Sequence, residues 1–153
     1  MKNILNRNAF RFFIDRNFAQ VIRNCRTAIR TAQSGTWISD DIEKAYTHLF
    51  EKGFAHSAEA WQGDELVGGL YGVLIGKVFF GESMFAKKSN ASKFALIKWT
   101  EVLEKNGIEL IDCQVYTPHL ESLGAEFIKR DEFNSLLEKL IGEKKSSGDP
   151  KPN

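Results

Sequence analysis

The chain has 153 residues, of which 42% are hydrophobic and 27% charged, values that suit one globular domain with its own core. A net charge of +1 excludes a protein that binds its partner by bulk charge alone. Cys25 and Cys113 have no metal-ligand spacing, and the longest uncharged stretch, residues 66–76, is far shorter than the roughly 20 apolar residues of a membrane-spanning helix. We therefore expect one cytoplasmic domain without a zinc site, a disulfide framework or a membrane segment.

The first third of the sequence predicts a strand and two helices. Alternating apolar residues predict a strand over residues 8–14. An apolar stripe with helical spacing follows, and Ser39 or Asp40 can cap a second helix that ends at Gly53. The expected inward residues are Phe18, Val21, Ile22, Cys25 and Ile29 in the first helix, and Ile42, Ala45, Tyr46, Leu49 and Phe50 in the second.

The middle of the chain predicts an antiparallel meander followed by a helix. Strands are expected over residues 55–61, 65–74 and 77–80, joined by short turns. Asn90 is expected to cap a third helix that ends at Gly107. Its expected inward residues are Ala95, Leu96, Trp99, Val102 and Leu103.

The last third predicts a strand over 108–116, a helical turn over 118–123, a strand over 125–129 and a final helix from Asp131. We expect one folded domain over residues 1–141 and a flexible polar tail over residues 142–153. The order of elements predicts an α/β (α+β) protein whose mixed, largely antiparallel sheet carries helices on both faces. That order resembles the GCN5-related N-acetyltransferase (GNAT) fold. The expected inward residues of the final helix are Phe133, Leu136, Leu137, Leu140 and Ile141.

Positive charge is concentrated at the start of the chain. Residues 1–30 contain seven basic residues and one acidic residue, a local charge of +6. This segment predicts contact with a polyanion, and a solvated helix face is the alternative. The candidate phosphate contacts are Arg16, Arg23, Arg26 and Arg30.

Several segments carry a family resemblance. They are residues 35–38 (GTWI), 64–73 (DELVGGLYGV), 81–85 (GESMF), 90–93 (NASK), 110–114 (LIDCQ), 119–120 (HL) and 122–125 (SLGA). In this order and spacing, from about residue 10 to residue 140, they resemble the catalytic domain of the leucyl/phenylalanyl-tRNA–protein transferases. Residues 81–93 contain no glycine-rich pyrophosphate loop, which disfavours a CoA-dependent acetyltransferase.

The resemblance implies an enzyme that moves Leu or Phe from aminoacyl-tRNA to the N-terminal Arg or Lys of a protein, which marks that protein for degradation. It implies an acyltransferase fold with no metal ion and no CoA. Two alternatives stay open: transfer from the same donor to another amine, such as a small molecule or peptide, and non-catalytic binding of aminoacyl-tRNA 3′ ends.

Asp112 and Gln114 are the candidate catalytic residues. They are two positions apart on a predicted strand, so they project from the same sheet face. A carboxylate can orient an incoming ammonium group, and an amide can hydrogen-bond the amine or the tetrahedral oxygen. The resemblance implies this role, while positioning of the tRNA end or a satisfied polar pair are the alternatives.

The resemblance also implies a pocket for the donor side chain and a contact with the terminal adenosine. Trp37 is the implied stacking partner of that adenine, with a lid over the core as the alternative. Trp99 stands where the family usually has Phe, so we expect a narrower pocket that disfavours a Phe donor. Ordinary core packing is the alternative for the pocket set. The implied pocket residues are Leu70, Phe79, Glu82, Met84, Leu96, Trp99, Leu103 and Ile111.

The family normally has a small tRNA-binding domain before the segment that begins here, and an aromatic and apolar extension after it. Neither is expected from this sequence, in which Met1 leads directly into the first strand. We expect either a short branch of the family that holds only the acceptor end of the tRNA, or a partner that supplies the domain. Use of aminoacyl-tRNA for another acceptor is the third possibility.

Overall fold

The computed structural model describes residues 9–32, 40–112 and 130–145. None of the described helices is long and apolar enough to cross a membrane. The elements in chain order are β1 (Arg11–Ile14), α1 (Phe18–Ala32), α2 (Asp40–Glu51), β2 (Ala55–Gln62), β3 (Glu65–Ile75), β4 (Val78–Ala86), α3 (Ala91–Lys105), β5 (Leu110–Asp112) and α4 (Arg130–Lys145).

The described strands form one sheet in which they lie side by side in sequence order, from β1 to β5. The pairs from β1 to β4 are antiparallel, whereas β4 and β5 are parallel. Gly63 and Gly76, with φ values of 61° and 59°, allow the tight turns of the two central hairpins. The parallel pair needs a crossover connection, which α3 supplies. The predicted mixed, largely antiparallel sheet is confirmed.

Helices cover both faces of the sheet, as predicted. Neighbouring residues of a strand project to opposite sides, so Tyr71 packs under α1 and α2 while Leu70 packs under α3. We call these sides the α1/α2 face and the α3 face. The buried helix residues on the α1/α2 face are Phe18, Val21, Ile22 and Cys25, and those on the α3 face are Ala91, Phe94, Ala95, Trp99 and Leu103.

A β-bulge interrupts the pairing of β3 with β4. Tyr71 pairs with Ser83 but Gly72 pairs with Gly81, so Glu82 is an extra residue in β4. The prediction that this strand ends near residue 80 is wrong. The bulge accommodates one extra residue, and β4 stays paired with β3 as far as Ala86. The segment that contains Glu82 therefore lies within a strand and not after one.

The helix α3 begins after Asn90, as predicted, but with an unusual cap. Asn90 has a left-handed backbone with a φ of 69°, and its side chain makes no cap hydrogen bond. Its backbone carbonyl accepts a hydrogen bond from the Phe94 N–H at 2.9 Å. Asn90 is thus the N-cap residue, as predicted, but it caps through its backbone carbonyl and not through a side-chain bond to the first-turn amides.

Two other boundaries and one burial prediction also differ. β1 begins at Arg11, later than predicted, and Ala45 on the predicted apolar face of α2 is exposed. The helix α4 continues to Lys145, so the predicted polar tail starts inside it. The predicted end of β5, the turn over 118–123 and the strand over 125–129 lie outside the described residues.

The close approach of β3 and β4 at the bulge predicts a strong effect of a single methyl group. A Cβ at Gly72 would collide with the carbonyl oxygen of Phe80 and would lie 2.6 Å from the Phe79 ring. We expect Gly72→Ala to lower the free energy of unfolding by about 1–3 kcal/mol, measured by urea denaturation. Its pairing partner is the matched control, since a Cβ at Gly81 would lie 3.5 Å from the nearest atom, the Asp112 carbonyl oxygen. Equal urea midpoints for the two variants would contradict this prediction.

Candidate functional site

Most of the predicted pocket residues pack in one cluster on the α3 face, between that helix and strands β3, β4 and β5. Phe79 and Trp99 form its centre, edge to face with ring centroids 5.3 Å apart. The cluster is apolar and mostly buried, which is compatible both with a pocket for an apolar side chain and with ordinary core packing. The residues brought together are Leu70, Phe79, Met84, Leu96, Trp99, Leu103 and Ile111.

One polar atom lies inside this apolar cluster. The indole Nε1 of Trp99 is buried and has no hydrogen-bond partner within the described ranges. A buried donor without an acceptor costs about 1–3 kcal/mol. Phe, which the resemblance implies at this position, would avoid that cost, so Trp99 differs from it both in ring size and in its buried nitrogen.

Asp112 is the last described residue of β5. It pairs in parallel register with Phe80 of β4 and is half-buried. Because Ile111 packs on the α3 face, alternation along the strand turns the side chain of Asp112 toward the opposite face. Asp112 is thus next to the apolar cluster along the chain but on the other side of the sheet. Gln114 lies outside the described residues.

Glu82 is separated from the other predicted pocket residues. It lies at the bulge and accepts a hydrogen bond from the hydroxyl group of Tyr46 in α2. Burial, followed by this hydrogen bond and the charge of Glu82, raises the pKa of Tyr46. Because α2 covers the α1/α2 face, the carboxylate is directed away from the apolar cluster. The prediction that Glu82 lines the same pocket therefore gains no support from its position.

The neighbours of Glu82 form a small polar cluster on the α1/α2 face. Burial raises the pKa of the Cys25 thiol to about 12, opposed by a hydrogen bond with Ser83. Tyr71 is fully buried, and its hydroxyl group has no hydrogen-bond partner among the described residues. Burial also raises the pKa of Tyr71, and the nearby Cys25, Tyr46 and Glu82 add to that rise.

The sequence interpretation assigned Tyr46 to the core and gave no role to Tyr71 or Ser83. These residues come together because the bulge directs both Glu82 and Ser83 to the α1/α2 face, although consecutive strand residues normally alternate. Gly81 is the one sequence signal of this arrangement, since a glycine within a strand often marks a bulge.

The candidate phosphate contacts fall into different environments. Arg16 is exposed and lies over two rings, 4.5 Å from the centroid of Phe13 and 4.2 Å from that of Trp61. Arg26 bonds Asp40 at 2.7 Å and Glu43 at 3.4 Å, and Arg23 lies 3.5 Å from Glu43. Arg23 and Arg26 thus link α1 to α2. The side chain of Arg30 and all of Trp37 lie outside the described part of the chain.

Solved structures with a similar fold are acetyltransferases. An aminoglycoside acetyltransferase from an uncultured soil metagenomic sample superposes with a TM-score of 0.60 at 13% identity, covering 81% of this chain and 95% of that one. An aminoglycoside N-acetyltransferase in complex with CoA gives a TM-score of 0.56 at 14% identity, covering 81% and 93% of the two chains. At such low identity the likeness shows the fold alone, and it confirms the predicted GNAT-like architecture.

Sequence relatives identify the family. A leucyl/phenylalanyl-tRNA–protein transferase of Syntrophus aciditrophicus is 52% identical over 92% of this chain and 59% of its own length. The corresponding protein of Flavobacterium johnsoniae is 51% identical over 90% of this chain and 65% of its own length. The chain thus spans about 60% of the length of these curated relatives. The sequence model described as leucyl/phenylalanyl-tRNA protein transferase matches residues 1–138, and the chain belongs to that family.

Proposed function

We propose that this chain carries the transferase activity of its family: it moves Leu or Phe from aminoacyl-tRNA to the N-terminal Arg or Lys of a protein. Such an addition marks the acceptor for degradation, and its substrates place the reaction in the cytoplasm. One observation carries the proposal, namely the family match over residues 1–138 with relatives of about 50% identity that are named for this activity.

The apolar cluster on the α3 face is the proposed site of the donor side chain. Burial of a Leu or Phe side chain there contributes about 1.5–3 kcal/mol. The cluster reaches β5 through Ile111, so a donor held in it has its ester group near the strand that carries Asp112. Met84 is partly buried at the cluster, and its flexible thioether side chain can adapt to either donor shape.

The proposed reaction is aminolysis of an ester. The neutral α-amine of the acceptor attacks the ester carbonyl carbon, a C–N bond forms, and the C–O bond to the ribose of the terminal adenosine breaks. The proton lost by the amine ends on the departing ribose oxygen. Asp112 orients the incoming amine and Gln114 hydrogen-bonds the amine or the tetrahedral oxygen. The ester is already activated, so proximity supplies much of the rate and neither a metal ion nor CoA takes part.

Binding of the tRNA is proposed to involve an aromatic contact and phosphate contacts. Trp37 stacks on the terminal adenine, an interaction of about 1–3 kcal/mol. Among the arginines, Arg16 is the strongest candidate, because its guanidinium group is held over two rings and is exposed to a ligand. Arg23 and Arg26 are weaker candidates, since a phosphate would have to compete with the carboxylates of α2.

The test is transfer of labelled Leu or Phe from charged tRNA to peptides that begin with Arg, Lys or Ala. We expect labelled product with Arg and Lys only, and a lower kcat/KM for Phe-tRNA than for Leu-tRNA because of Trp99. No labelled peptide with either donor would contradict the proposed function. Consumption of the ester without peptide product would favour another amine acceptor. Equal kcat/KM values for Leu-tRNA and Phe-tRNA would contradict the donor preference assigned to Trp99, but not the proposed function.

A further inference from the structure

Asp15 and His56 form a carboxylate–imidazole pair where the end of β1 meets the start of β2. Asp15 Oδ2 lies 2.7 Å from Nδ1 of His56, and the other ring nitrogen, Nε2, lies 3.2 Å from the carbonyl oxygen of Gly53. Both side chains are mostly buried, with 13% of His56 and 26% of Asp15 exposed. Because each ring nitrogen faces an oxygen acceptor, the contacts fix both the position and the plane of the imidazole.

The backbone of Asp15 holds its carboxylate toward this ring. Its φ of 58° is in the left-handed region, which residues other than glycine adopt rarely. Two hydrogen bonds keep it there: the Asp15 N–H donates to the Ser57 carbonyl oxygen at 3.0 Å, and Asp15 Oδ1 accepts from the Ser57 N–H at 2.7 Å. An uncommon backbone conformation that several bonds maintain is often part of a functional site. The link between β1 and α1 thus presents Asp15 to His56.

The imidazole also contacts the apolar cluster on the α3 face. The ring centroids of His56 and Trp99 are 6.3 Å apart, with 39° between the planes, within the range of about 4.5–7 Å for paired aromatic rings. Phe79 packs edge to face against the same indole. A buried tryptophan is usually anchored by its N–H, but that of Trp99 has no hydrogen-bond partner among the described residues. The orientation of this indole therefore depends on packing against its neighbours.

From these contacts we propose that Asp15 and His56 are positioning residues for Trp99, and that through its indole they set the preference of the apolar cluster for Leu over Phe. The inference rests on the proposed function, since Trp99 is taken to border the bound donor side chain. Asp15 fixes the imidazole, the imidazole limits the movement of the indole, and the indole occupies space that the larger donor ring needs. Without the imidazole, the indole can move toward β2 and the cluster admits Phe more readily.

His56→Asn tests the ring contact separately from the hydrogen bond. The Asn amide group can replace Nδ1 as the donor to Asp15, but it has no ring to place against Trp99. We expect this variant to lower the ratio of kcat/KM for Leu-tRNA to that for Phe-tRNA by about threefold or more. Asp15→Asn weakens the hold on the imidazole and should lower the ratio by a smaller factor. His48→Asn, at an exposed position of α2, is the matched control and should leave the ratio unchanged.

A double variant tests whether the effect passes through Trp99. Trp99→Phe should lower the same ratio by itself, and the addition of His56→Asn should then change it no further. A second readout needs no tRNA: the near-UV circular dichroism of Trp99, measured as the difference between a protein and its Trp99→Phe variant. We expect a clear difference signal in the wild-type background and its loss in the His56→Asn background, because an indole without fixed packing gives little near-UV signal.

These readouts distinguish a failure of the inference from a failure of the proposed function. If transfer occurs, an unchanged donor ratio in His56→Asn would overturn the inference, and so would an equal fall of the ratio in the Trp99→Phe background. Equal kcat/KM values for the two donors in wild type would overturn it as well. If neither donor is transferred, the proposed function fails and circular dichroism decides. A Trp99 signal that persists in His56→Asn then overturns the positioning role, and its loss supports that role.

Discussion

Asp112→Ala is expected to lower kcat/KM for aminoacyl transfer by about 10²- to 10⁴-fold, the range typical of a group that assists proton transfer. Asp112 is the last described residue of β5, on the sheet face opposite Ile111 and paired with Phe80 of β4. Removal of the carboxylate leaves the α-amine of the acceptor without its proposed orienting partner. The binding of the donor side chain in the apolar cluster is retained, so KM for Leu-tRNA should change little.

The control for this prediction keeps the shape and removes the charge. Asp112→Asn should lose nearly as much activity as Asp112→Ala if the carboxylate orients an ammonium group or assists loss of its proton. Full activity of Asp112→Asn would contradict a role for the charge and would favour simple positioning. Thermal unfolding of both variants should stay close to that of wild type, because the side chain of Asp112 is only half-buried.

Features with a regular period could be predicted from the sequence. The stripe that includes Val21 and Cys25 places one side of α1 on the core, and both residues have no exposed surface. Trp99 and Leu103, four positions apart, are buried on one side of α3 in the same way. The predicted pocket residues were named by the family resemblance. All of them except Glu82 lie on the α3 face, because the helical period of α3 and the alternation along the strands direct them there.

The bulge at Glu82 could not be predicted, because it depends on pairing between strands. Glu82 follows Phe79 by three positions, and strict alternation would place the two residues on opposite faces. It would place Ser83 with Phe79, yet Ser83 hydrogen-bonds Cys25 across the other face. The extra residue shifts the alternation by one position. The shift leaves Glu82 on the α1/α2 face, where alternation alone would put it, but it moves Ser83 to that face and brings Met84 into the cluster with Phe79.

The fate of the basic residues depends on a contact between helices. Arg26 and Glu43 are 17 positions apart and meet only because α1 and α2 pack side by side. The positive charge of residues 1–30 predicted that Arg26 is available to a polyanion. The packing gives it two carboxylate partners and leaves the ring-stacked Arg16 as a better presented guanidinium group.

The buried carboxylate of Glu59 connects α1 to β2 on the α1/α2 face. It has no exposed surface and accepts hydrogen bonds from the Ser57 hydroxyl group at 2.6 Å, the Trp61 indole N–H at 2.8 Å and the Asn17 backbone N–H at 3.0 Å. The last of these fixes the start of α1 to the second strand of the sheet. Three donors therefore compensate one buried carboxylate, and each of them depends on it.

Glu59→Ala is expected to lower the free energy of unfolding by about 3–5 kcal/mol, because it leaves three donors without an acceptor and opens a cavity beneath α1. Glu59→Gln keeps the volume but replaces one acceptor oxygen with an NH₂ group that faces a donor, so it should lie between alanine and wild type. Glu65→Ala, at an exposed position of β3, should change the urea midpoint little. Midpoints for Glu59→Ala close to that control would contradict a stabilising role, and would mean that water can replace the carboxylate as the acceptor for Trp61.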